Sequence, residues 1–264
     1  MAVNDAAKIS PEAATPCPKD AGEPGAGVDH DATVGPCSQL VNALFRPRAP
    51  SGHSIFRKAR FALSLWTPFL VIGIVGAAKD IYLEKFGLSA KIMGLIVPII
   101  SFWAPFQEII MGRLQDRMAL ARCFPATRWG RRAPWLLTHC CVAVLGVSVI
   151  FLPPEGDLAY VWYVVVGMSA MWGVCGCILA FEAARQELYP FKEERIVSES
   201  LCKYACMAGG AAGGVVFVGL SVDASLPIRA AFIAYIVPMG LVSLQAVPIF
   251  METRRFFEAR VGDA

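Results

Sequence analysis

The chain has 264 residues, 56% hydrophobic and 17% charged, with a mean hydropathy of +0.54 and a formal charge of +3. That balance is too apolar for an ordinary soluble domain. A lipid bilayer is the expected partner, and nucleic acid is not.

Residues 1–59 differ from the rest. The stretch "KISPEAATPCPKDAGEPGAGVDHDATVGPC" is rich in Pro, Gly, Ala and acids. It holds no apolar run long enough to bury, so it reads as a disordered tail. It has no basic start leading into an apolar core and is therefore no signal peptide. The first spanning helix must act as the insertion signal.

From residue 60 to 251 the apolar residues fall into six blocks of roughly 20, the length that crosses about 30 Å of hydrocarbon. They lie at about 61–83, 90–111, 133–152, 158–181, 204–222 and 228–250. The expected fold class is an all-α integral membrane protein with six transmembrane helices, a tail before them and a short tail at 252–264. Lys and Arg number five in 46–60, six in 112–132, four in 185–203 and three in 251–264, whereas the opposite connections hold only Lys79, Lys85, Lys91 and Arg229. This excess places both termini and the two long loops in the cytoplasm.

Within the blocks, Glu108 stands about one turn inside the second apolar run. A carboxylate there costs a few kcal/mol unless paired, hydrated or protonated, and such residues mark ion pathways. The alternative is that Glu108 snorkels to the edge and pairs with Arg113 or Arg117. In the fifth block, Gly209 and Gly213, and Gly210 and Gly214, lie four apart. Small residues at that spacing let helices approach closely, as static packing or as a sliding surface. Pro68, Pro98, Pro105, Pro238 and Pro248 predict kinks.

The nine cysteines show no zinc spacing and read as small packing residues, with no metal expected. His139 reads as a hydrogen-bonded packing residue. No nucleophile elbow, HExxH or phosphate loop occurs, so neither an enzyme nor a cofactor is expected.

The loop after the second block carries Gly112, Leu114, Asp116 and Arg117, then "RWGRRAPWLL" from Arg128 through Gly130, Arg131 and Arg132. This resembles the G-x-L-x-D-R and basic G-R-R run of the major facilitator superfamily. The R-W-G-R-x-x-P-W ending is similar to the glycoside-pentoside-hexuronide:cation symporters, the melibiose permease type. "IYLEKFGLSAKIMGLI" and "QELYPFKEERIVSES" resemble that family's segments around spans one and two and after span four.

The resemblance implies the N-terminal six-helix half of a transporter that moves a small polar solute, such as a sugar, by alternating access. It implies a coupling cation, H+ or Na+, with Glu108 on the second of two acidic positions and Ala104 on the first. Pro68 and Ile178 stand where the family has other acids, so its sugar and cation ligands are not reproduced. Asp116 and Arg117, with Arg128, Gly130, Arg131 and Arg132, would form the cytoplasmic gating loop, and the arginines also fit an ordinary positive-inside loop. The resemblance further implies a second six-helix half, whether a missing C-terminal half, a homodimer or a partner. The alternative expectation is a non-transporting six-span scaffold or regulatory subunit.

Overall fold

The computed structural model describes residues 54–189 and 191–253. The disordered tail expected at 1–59 lies outside the described residues through 53, and the short tail expected at 252–264 lies outside them from 254 onward. Span 1 comprises α1 (Ile55–Ala62), a 3-10 segment (Leu63–Leu65) and α2 (Trp66–Glu84); α3 (Ala90–Asp116) is span 2. A 3-10 turn (Ala119–Arg122) and α4 (Ala126–Trp129) lead to α5 (Ala133–Val149), α6 (Leu158–Leu188) and α7 (Lys192–Val222). Span 6 is α8 (Leu226–Gly240), a 3-10 segment (Leu241–Ala246) and α9 (Val247–Phe250), followed by a 3-10 turn at Met251–Thr253. The described residues contain no strand.

Five of these spans are long and apolar enough to cross a membrane, while Ala133–Val149 is shorter at 17 residues. At 1.5 Å per residue α5 covers about 26 Å. Its apolar run continues through buried Ile150 and Phe151 without helix.

Two sequence-based boundaries move. The tail was expected to reach residue 59, but α1 begins at Ile55, where the Ser54 hydroxyl caps it by accepting from the Arg57 N–H at 3.3 Å. This helix is stable because it buries Lys58, Phe61 and Ala62, with Lys58 paired to buried Glu194 of α7 at 3.4 Å. The basic stretch 182–203 was read largely as loop, yet α6 runs to Leu188 and α7 starts at Lys192. Hydropathy marks the lipid-immersed part of a helix, and a helix does not stop where the hydrocarbon does.

α2 lies on α7 through the glycine face. A Cβ on Gly209 would come within 2.4 Å of the Trp66 carbonyl oxygen, and one on Gly213 within 2.7 Å of that of Leu70, whereas Gly210 and Gly214 have open space before them. α5 lies equally close to α6, where a Cβ on Gly173 would sit 2.5 Å from the Ala143 nitrogen.

The loop-bearing basic end is held by Phe61, which stacks on Phe181 (5.0 Å) and Phe250 (5.3 Å) and meets Tyr189 edge-on (5.2 Å). An ion pair between Arg57 and Glu252 closes it. At the other end Tyr82 donates to the Ile150 carbonyl, and Arg229 donates to that of Phe151 at 3.1 Å while lying over the Phe86 ring.

Spans 1 and 6 both break into 3-10 turns, and the breaks touch. Pro68 has no N–H for the Ser64 carbonyl. The Ser243 hydroxyl accepts from Thr67 N–H at 2.9 Å and sits 2.7 Å from the Leu63 oxygen and 3.1 Å from that of Ser64. It is thereby inserted into the Thr67-to-Leu63 step of the helix ladder. In return Thr67 Oγ1 donates to the Gly240 carbonyl of span 6, as does Cys140 Sγ at 3.3 Å. By contrast α3 remains helical through Pro98 and Pro105.

Candidate functional site

α3 packs against α6 but barely meets α2. The gap is a cleft of about 450 Å³ between spans 1, 2 and 4, lined by Ile72, Val75, Gly76 and Lys79 of α2, Val97, Ile100, Ser101, Ala104 and Gln107 of α3, and Tyr163 and Met171 of α6. Its walls are mostly apolar, with few polar groups, the usual character of a small-molecule site. Gly76 has nothing within 4 Å of where a Cβ would stand, so the cleft is wide there. Lys79 at the mouth pairs with Asp80 at 3.5 Å, and Ser101 is occupied by its own helix, donating to the Val97 carbonyl at 3.0 Å.

Two polar groups of the cleft are left without hydrogen bonds. Gln107 is 2% exposed and Tyr163 3%, and neither the amide nor the hydroxyl has a partner among the described residues. Glu108 is the next residue round the helix from Gln107. It is exposed, one turn beyond Ala104, makes no ion pair with Arg113 or Arg117, and lies within electrostatic reach of Cys175 on α6.

A second constellation lies at the basic end. Arg132, 7% exposed, donates through Nη2 to Glu187 Oε1 at 3.3 Å and through Nη1 to Gln115 Oε1 at 3.3 Å. Gln115, itself buried, donates from Nε2 to the Gly176 carbonyl at 3.0 Å, three turns inside α6. One guanidinium thus ties the end of α3 and the start of α5 to α6 through charge-assisted bonds.

Asp116 and Arg131 approach to 3.9 Å with the aspartate side chain 73% exposed, which leaves that carboxylate free to meet another surface. Arg117 and Arg128 are exposed, and Gly112 is half-buried with open space before it. Gly130 is buried at φ +70° and ψ −176°, a conformation open essentially to glycine alone, and it turns the chain from α4 so that Arg132 points inward.

The family described as MFS/sugar transport protein matches residues 51–251. The chain belongs to this family. It is accordingly an all-helical, multi-pass membrane protein of major facilitator type, in a family of sugar transporters. No curated protein and no solved structure matches the chain.

Within this transporter fold, sequence reasoning reached the loop arginines but not Gln107, Gln115 or Tyr163. Both glutamines were visible as polar letters in or beside an apolar run. They belong to one stripe with Met111, four residues apart, and that spacing was the available signal.

Proposed function

We propose that this chain is the solute-binding six-helix unit of a cation-coupled sugar transporter, in which the cleft between spans 1, 2 and 4 receives the solute. The supporting observation is the cleft itself, an apolar-walled gap across three spans whose unbonded polar ends belong to buried side chains. Hydroxyl-rich solutes need such groups, because leaving hydroxyls unpaired in a dry site is costly. Alternating access encloses the solute between two such units rocking about it, so a second six-helix unit completes the cavity. It can come from the same polypeptide, a second copy or a partner.

The basic end faces the cytoplasm by the excess of Lys and Arg there. Asp116, exposed and facing the half-buried Arg131 beside the Arg132 node, would close that end against the second unit. Glu108 serves as the coupling carboxylate, since it is unpaired on the same helix and one turn past the cleft-lining Ala104. In proteoliposomes with an imposed pH or sodium gradient, Glu108→Gln is expected to abolish gradient-driven accumulation while leaving downhill exchange. Unchanged accumulation removes that role from Glu108.

A further inference from the structure

Gln107, like Tyr163, is a buried side chain of the cleft whose polar group has no hydrogen-bond partner among the described residues. Its carboxamide can donate two hydrogen bonds and accept two, and carries no charge. Val97, toward the 85–89 connection, and Gln107, at the opposite end of the lining, are ten residues apart on α3, or about 15 Å. The cationic group, Lys79, is near the mouth and already paired with Asp80, so nothing charged stands beside Gln107 among the lining residues. The lining residues at the Gln107 end, Ile72, Ala104 and Met171, are apolar, Ile72 being exposed and the other two half-buried.

An ionised solute reaching the Gln107 end would lose its hydration without gaining a counter-charge. A pair of adjacent hydroxyls meets the amide without that cost, one accepting from its N–H and the other donating to its oxygen. We infer that Gln107 is the inner specificity residue of the cleft, pairing with two neighbouring hydroxyls of a neutral solute and discriminating against carboxylated analogues. Tyr163, near the mouth, offers its hydroxyl to the outer end of the same solute. This inference rests on the cleft being the solute site. It adds which side chain reads the solute and which charge state it accepts.

The test uses the chain together with the second six-helix unit that completes its cavity, reconstituted in proteoliposomes, with D-glucose, D-galactose and sucrose as neutral probes and D-glucuronate as the charged one. The native chain is expected to take up at least one neutral probe and to prefer it to glucuronate at least tenfold. Gln107→Leu, of similar volume, is expected to raise KM at least tenfold for the neutral probe with Vmax changed less than twofold. Gln107→Asn, which keeps the amide on a shorter arm, should recover part of that loss. A merely structural role would instead lower the folded yield or Vmax without moving KM.

Gly76→Leu separates the two levels of failure, because its side chain would project into open cleft space. If it blocks uptake while Gln107→Leu keeps the native KM and selectivity, the cleft stands and Gln107 is not its reader. If Gly76→Leu transports normally, or no probe is taken up by the native chain, the cleft reading and the inference fall together. Equal or better uptake of glucuronate overturns the inference alone.

Discussion

α3 and α5 are both apolar spans, yet their surroundings are opposite. Of the 17 residues of α5, eleven are buried, whereas of the 27 of α3 only five are. α5 is wedged among α2, α6 and α8, with Gly173 and Gly176 of α6 hollowed to receive it. α3 stands at the margin, presenting Leu95, Phe102 and Ile109 outward. In a membrane an outward phenylalanine is as well solvated as a buried one, so apolarity carries no information about the core. What distinguishes the inward stripe of α3 is its amides: two of its five buried residues are glutamines.

The contrast can be broken most forcefully at the α5–α6 seam. The His139 ring occupies the place where a Gly176 side chain would stand, 2.2 Å from a built Cβ. Gly176→Leu is expected to abolish folded protein, read as loss of the monodisperse peak of solubilised protein. Arg132→Ala comes next, since it takes a charged partner from half-buried Glu187 and from the buried Gln115 amide together, at a cost of about 3 kcal/mol. It should lower the melting temperature clearly, and a neutral result would mean that the node does not staple the loop.

Gln115→Leu removes one bond from the Arg132 guanidinium and one neutral bond to the Gly176 carbonyl and should cost about 2 kcal/mol in the same assay. At Asp116 the pair is exposed, so Asp116→Asn should shift stability by less than about 1 kcal/mol. Its effect belongs in the exchange rate, and a large loss of stability there would make it structural. Smallest of all, Gly214→Leu and Phe102→Ala lie on open faces and should leave folding within about 1 kcal/mol of native. A severe effect at Gly214 would reveal a partner surface.

The family and the all-helical membrane class could be read from the loop motif and from block length, because both are one-dimensional signals, although five rather than six helices are long enough to cross a membrane. Burial is not one-dimensional. Glu108 drew the eye as the ionisable residue of span 2, but whether 107 or 108 faces the cleft depends on a rotation of about 100° per residue. Sequence cannot supply that phase, least of all beyond two prolines.

The close approach at Gly209 and Gly213 matches their four-residue spacing, but Gly210 and Gly214 share that spacing and face open space, so spacing alone does not say which stripe packs. The Gly173 and Gly176 hollow, three apart, matched no such pattern and becomes visible only against His139. Likewise the helical reach of α1, α6 and α7 beyond the lipid depends on aqueous-end pairs such as Lys58 with Glu194, whose partners lie far apart in sequence.

The broken turns of spans 1 and 6 bear on how such a chain tolerates being frayed where no water reaches. In an aqueous protein a stray water would satisfy Thr67 N–H and the carbonyls of Leu63 and Ser64. In this chain the Ser243 hydroxyl takes that water's place, a drop of solvent written into the sequence. Its removal cannot be made good from the surroundings. A single methyl-for-hydroxymethyl exchange there would strand polar atoms on a helix that is not its own, which makes Ser243 a residue of span 1 in every sense but the covalent one.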